Sequence, residues 1–276
     1  MGVKSMAKKV RDTMYRWGGE ERRPYALWHD GAPGAVGNEE ADRHTYSLYL
    51  PRDERRNGRL VVVLPGGGYC GHAEHEAAPV GRWLRSLGVA AMVVRYRLAP
   101  RYRHPVMLHD AQQAVRLARA NSDAWEISPN RIGILGFSAG GHLAAITANL
   151  SSPGDPARPD FAVLIYPVIR MTGPLAHPGC RAALTGDAAE SALARGLNAD
   201  ELVSPSSPPC FIVHGSDDEV IHVGNTHAYA AACRAHGVPC EAHCFAVGPH
   251  GFGLARGAGA VAAWPRLCAD WLARLD

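Results

Sequence analysis

The sequence predicts an α/β fold: a doubly wound, mostly parallel sheet with helices on both faces. Three observations carry that expectation. Continuously apolar, β-branched runs such as Leu60 to Leu64 recur along the chain, and such runs mark strands buried on both faces. Segments of helical period separate them. Finally, Gly136-Phe137-Ser138-Ala139-Gly140 joins an apolar run to an Ala-rich one through small residues. The 276 residues, 47% hydrophobic and 20% charged, suffice for one large domain.

Taken in order, residues 1–23 have no clear period and read as an N-terminal arm, and residues 24–276 as the single domain. Trp28 to Ala35 is too rich in Gly and Pro for a regular element. His44 to Leu50 alternates and reads as a strand that need not be parallel. Arg52 to Arg59 is a charged turn. Leu60 to Leu64 is a strand ending at Pro65-Gly66-Gly67-Gly68-Tyr69. His75 to Leu87 is a helix with Trp83, Leu84 and Leu87 inward, Val89 to Tyr96 a strand, and Val106 to Trp125 a long amphipathic helix. After the turn at Ser128-Pro129-Asn130 come the Ile132 to Leu135 strand and the His142 to Leu150 helix. Phe161 to Val168 is a strand. Residues 170–207 have several breakers and no strong period, and read as an excursion over the active-site face with short helices such as Ala188 to Arg195. The chain closes with strand Cys210 to His214, helix His222 to His236, strand Glu241 to Val247 and helix Gly259 to Leu275.

The 29 Lys+Arg and 26 Asp+Glu leave a formal charge of +3, which gives no support for nucleic acid as a partner. No run of about 18 apolar residues suggests a membrane partner, and residues 1–23 lack the apolar core of a secretory signal. The expected location is the cytoplasm. None of the seven cysteines forms a C-x-x-C pair. His243 and Cys244 are neighbours, and neighbouring side chains in a strand point to opposite faces, which argues against a metal clip. Free thiols suit a reducing compartment.

G-x-S-x-G between a strand and a helix sets a serine on a strained turn at a helix N-terminus, where developing negative charge is favoured. A serine hydroxyl is a poor nucleophile and needs a base, which in turn needs an orienting acid. Of the eight histidines after Ser138, His250 is preferred. It follows the last strand in a loop framed by Gly248, Pro249 and Gly251. His142 lies on the helix after the serine, at the rim of the site or within the structure beneath it, and His214 ends a strand. His227 and His236 read as helix surface. For the acid, Asp217 and Asp218 both occupy the right loop. Backbone amides of Gly67 and Gly68, with that of Ala139, suit an oxyanion hole, since glycine lets a backbone approach its ligand. Tyr69 and His142 are candidate substrate-binding residues. No Lys-Ser/Thr pair follows the glycines, so they are not a phosphate loop.

These motifs resemble the α/β-hydrolase fold and, within it, the bacterial acetyl esterase and acetyl xylan esterase-like branch related to hormone-sensitive lipase-type esterases. Matching stretches are Leu27-Trp28, Ala32 to Ala35, Pro65 to Tyr69, Glu74-His75-Glu76, Arg95-Tyr96-Arg97, His109 to Gln112, Gly136 to His142 and Gly248 to Gly251. The relatives' H-G-x-x-D acid loop, counted from His214, selects Asp218. Asp217 is then expected to face solvent or cap the next helix. Pro65 stands where the lipase-type relatives carry His, and Ile221-His222 where many carry Val-Pro. The resemblance implies a serine esterase removing short acyl groups, acetyl first, from small-molecule or oligosaccharide esters such as acetylated xylo-oligosaccharides, with no cofactor or metal. An amide hydrolase on the same scaffold and an inactive binding protein are the rival readings. Oligomeric state is not legible.

Overall fold

The computed structural model describes residues 24–29, 31–37, 39, 42, 44–186 and 191–275. The N-terminal arm lies outside the described residues. Elements in chain order are β1 (Tyr25–Ala26), β2 (Thr45–Tyr49), β3 (Leu60–Leu64), α1 (Ala78–Ser86), β4 (Ala90–Arg95), α2 (Val106–Ala120), α3 (Ser122–Trp125), β5 (Ile132–Phe137), α4 (Ser138–Leu150) and β6 (Phe161–Ile165). Then come α5 (Pro178–Thr185), α6 (Ala192–Arg195), β7 (Cys210–Gly215), α7 (Gly224–Ala235), β8 (Cys240–Phe245) and α8 (Trp264–Arg274).

The strands form one eight-stranded sheet in the order β1-β2-β4-β3-β5-β6-β7-β8. β3 to β8 are parallel, while β2 runs antiparallel to β4. Strand alternation divides β3 between two cores. Leu60, Val62 and Leu64 join one with α2, α4 and α7; Val61 and Val63 join the other with α1 and α8. Because β4 and β5 flank β3, strand order reverses there, and the carboxyl ends of β3 and β5 lie side by side. Parallel sheets bind ligands at such a switch point.

The sequence expectation differs from the structure in a few elements. The long helix breaks at Asn121 into α2 and α3. The first helix is a 3₁₀ turn, Glu74–Glu76, followed by α1, and Leu87 is exposed instead of inward. The closing helix likewise begins as a 3₁₀ turn, Gly259–Ala263. Strand β1, only two residues long, was not expected, because a pair held by backbone bonds to β2 leaves no alternating pattern. Of the expected Ala188 to Arg195 helix, residues 188–190 are outside the described residues and Ala192–Arg195 is helical.

A buried ion pair fastens the N-terminal segment. Arg97, after β4, meets Asp110, on α2, at 2.7 Å with both side chains inaccessible. Asp110 also accepts from the Trp28 indole at 2.8 Å, and Arg97 donates to the Pro33 carbonyl at 2.8 Å. Among the described residues no helix is long and apolar enough to cross a membrane.

Candidate active site

The turn from β5 into α4 explains its own residues. Ser138 has φ +52°, a left-handed backbone that costs a non-glycine residue strain and that the surroundings must hold. A Cβ on Gly136 would lie 2.0 Å from the Gly140 carbonyl oxygen, and one on Gly140 would lie 2.2 Å from that of Leu64. Only glycine permits that strand–helix approach. Ser138 itself is 8% exposed.

The structure brings three predicted side chains into one chain of contacts. The Ser138 hydroxyl lies 2.9 Å from His250 Nε2, and His250 Nδ1 lies 2.7 Å from Asp218 Oδ2. The second Asp218 oxygen accepts from the backbone amides of Val220, at 2.9 Å, and Ile221, at 2.8 Å. His214 Nε2 is 3.2 Å from Asp218 Oδ2 and 2.9 Å from the Ile221 carbonyl, while its Nδ1 meets Thr226. Burial pushes the Asp218 carboxyl upward, but the bonds from His214, His250 and the Ile221 amide outweigh it and hold the group below its usual range. Asp218 is therefore an ionised acceptor able to fix the imidazole tautomer with a proton on Nδ1. Asp217 does face solvent, yet its Oδ1 also accepts from the Gly248 amide at 2.7 Å, tying the acid loop to the loop that carries His250.

On the other side of Ser138, Gly67, with φ +127°, and Gly68, with φ +64°, turn the chain back after β3. The Gly67 carbonyl is held by the amides of Cys70 and Gly71, 3.0 and 3.1 Å away. Ala139 is in the first turn of α4, where amides have no partner within the helix.

Tyr69 and His142 are placed differently from the expectation. Both are wholly buried. The Tyr69 hydroxyl meets His142 Nδ1 at 2.7 Å, and His142 Nε2–H donates to the Leu197 carbonyl at 2.8 Å. A substrate contact needs accessible surface, and neither ring has any. Their bonds join the glycine loop after β3 and α4 to the 170–207 excursion. Two residues near the site carry no sequence signal of a role: Glu76, within a stretch noted only for resemblance, and Tyr166, after β6. Both are buried against the loops that flank Ser138.

A family model described as alpha/beta hydrolase fold matches residues 61–254. The chain belongs to the α/β-hydrolase fold family. A solved relative of this chain is the acetyl ester-xyloside bifunctional hydrolase from Caldicellulosiruptor lactoaceticus, 38% identical with a TM-score of 0.84, covering 92% of this chain and 97% of that one. A sugar hydrolase from Lactococcus lactis is 26% identical with a TM-score of 0.75, over 92% and 98% of the two chains. The acetylxylan esterase of Xylanibacter ruminicola is 35% identical over 75% of this chain and 43% of its own length. The chain thus spans less than half the length of this and other curated relatives.

Proposed function

We propose that this hydrolase is a serine esterase that removes short acyl groups, acetyl first, from alcohols such as the hydroxyls of xylo-oligosaccharides. The observation that carries the reading is the continuous Ser138–His250–Asp218 chain at 2.9 and 2.7 Å. Ser138 Oγ attacks the ester carbonyl carbon while His250 Nε2 takes its proton. The carbonyl oxygen becomes an oxyanion facing the amides of Gly67, Gly68 and Ala139. As the tetrahedral intermediate collapses, the C–O bond to the alcohol breaks and His250 returns the proton to the leaving oxygen. Water then adds to the acyl-serine, giving its proton to His250, and collapse releases the carboxylic acid and restores the serine hydroxyl. Asp218 keeps its charge throughout and stabilises the imidazolium.

Two further features support the substrate class, and a third bears on location. The names of the acetylxylan esterase and acetyl ester-xyloside relatives point to acetylated sugars. Among its described residues the 170–207 excursion contributes α5 and α6, of eight and four residues, without a sustained amphipathic helix of the sort that lids a lipid groove. His177 caps α5, its ring accepting from the Cys180 amide at 3.0 Å. All seven cysteines are free thiols, which suits work in the cytoplasm.

The test is hydrolysis of p-nitrophenyl acetate, butyrate and octanoate beside acetylated xylo-oligosaccharides and an acetanilide. Acetyl esters should be fastest, with a graded fall because each methylene changes discrimination by about 1–3 kcal/mol. A rate that climbs to octanoate, or faster cleavage of the amide, would overturn the proposal.

A further inference from the structure

Ser138 stands between two loops that reach it from opposite sides, and the triad itself does not join them. One buried link does. Glu76 Oε2 accepts from the Gly66 amide at 2.7 Å, at the root of the oxyanion loop. Its Oε1 accepts from the Tyr166 hydroxyl at 2.6 Å. The same hydroxyl accepts from the Gly253 amide at 3.0 Å, three residues past His250. Each group donates and accepts consistently along the chain Gly253 N–H, Tyr166 O–H, Glu76 carboxylate, Gly66 N–H.

The link is built with care at both ends. Tyr166 has φ +36°, a conformation that bulky residues adopt only when held. Its ring packs edge-on against the His250 imidazole, with centroids 4.9 Å apart, and against Phe252 at 4.4 Å. The 3₁₀ turn that carries Glu76 grips the base loop a second time, through His75 Nε2 and the Gly251 carbonyl at 2.9 Å. Burial works against the Glu76 charge, yet both oxygens face donors, so the arrangement is that of an ionised carboxylate. A buried carboxylate needs partners: besides its two donors, Glu76 Oε1 has His75 Nε2 at 3.6 Å.

We infer that Glu76 and Tyr166 are positioning residues that strap the oxyanion loop to the His250 loop, so that the proton acceptor and the oxyanion donors meet one carbonyl in register. The inference rests on the proposed esterase reading. A misplacement of about 1 Å in such a site can cost about a hundredfold in rate. Groups that must be aligned in the transition state show their loss in kcat and not in KM.

The experiment compares wild type, Tyr166→Phe, Glu76→Gln and the double variant on p-nitrophenyl acetate, with fluorophosphonate labelling of Ser138 alongside. Tyr166→Phe keeps the ring against His250 and removes only the hydroxyl. It should lower kcat roughly tenfold, and Glu76→Gln roughly 10- to 100-fold, each with KM within about threefold of wild type. The double variant should be no slower than Glu76→Gln alone, since one link is broken either way. If Glu76→Gln does not fold, Tyr166→Phe decides. Folded variants with kcat within twofold of wild type, KM rising in step with the loss, or single effects that multiply in the double variant would each overturn the strap. An active, labelled wild type with unaffected variants would sink this inference alone. A wild type that neither hydrolyses nor labels would sink the esterase reading and the strap with it.

Discussion

The two sides of Ser138 are built from different materials. The base side is made of side chains: His250, Asp218, Asp217 and His214 in a network of charge-assisted bonds. The oxyanion side, as proposed, offers backbone amides around Gly67 and Gly68, and its side chains lie beneath: Tyr69 with His142, and Glu76 with Tyr166. In the proposed reaction a proton travels on the first side, so titratable groups are required there. On the second a charge must only be met, and fixed dipoles do that without reorganising. The comparison teaches that substitutions on the base side should change chemistry directly. Those on the oxyanion side can act only through shape.

The sharpest break is at the junction. Ser138→Ala should lower kcat on p-nitrophenyl acetate on the order of 10⁴-fold or more with unchanged circular dichroism; retention of a few per cent of activity would remove Ser138 as nucleophile. His250→Ala should lose comparably, and a far smaller loss would mean that another group takes the proton.

Asp218→Asn comes next, lowering kcat by about 10²- to 10⁴-fold with little change in KM, because the amide cannot hold the Nδ1–H tautomer. Asp217→Asn sharpens the comparison within one loop. Its carboxylate is exposed but holds the Gly248 amide, so a loss of a few-fold, up to about tenfold, is expected. A larger effect at Asp217 than at Asp218 would reverse their roles.

The smallest effect on catalysis belongs to His142, whose signature is stability. Burial lowers its pKa to about 4, from an ordinary value of 6.5. The unfolded chain therefore takes up a proton between those values while the folded chain does not, so stability rises with pH there and is lost as pH falls from about 6.5 toward 4. The full shift is worth on the order of 3 kcal/mol. The thermal midpoint of wild type should drop across that window, and His142→Asn should flatten the slope while leaving KM near wild type. A midpoint that holds steady down to pH 4 would contradict the burial of a neutral imidazole.

What was legible follows from the same division. The sheet was readable because strands buried on both faces, such as Val61 to Val63, leave continuous apolar runs. The meeting of Ser138 and His250 was readable because a G-x-S-x-G turn and a Gly/Pro-framed loop are restrictive, whereas Asp218 was separated from Asp217 only through the family resemblance. Tyr69 and His142 were misplaced as substrate contacts, since a polar residue beside a motif looks the same in sequence whether it points into the site or under it. Tyr166 and Glu76 gave no signal: their meaning lies in a contact 90 residues apart along the chain, which periodicity cannot register. Asp217 showed its exposure but hid its bond to Gly248.

The Arg97–Asp110 pair gathers Trp28 and Pro33 around it, with the Tyr102 ring centroid 5.1 Å from the guanidinium. Removing one partner would leave the other buried and uncompensated, at a cost of about 3–5 kcal/mol, a large share of what a domain has. Replacing both with apolar residues of similar volume costs far less. Divergence at these two positions is therefore gated: either change alone leads into a valley, and only a paired change crosses it. The stretches around Trp28, Pro33, Arg97 and Asp110 thus share one fate, and they can carry a lineage's signature far from the site where its chemistry is done.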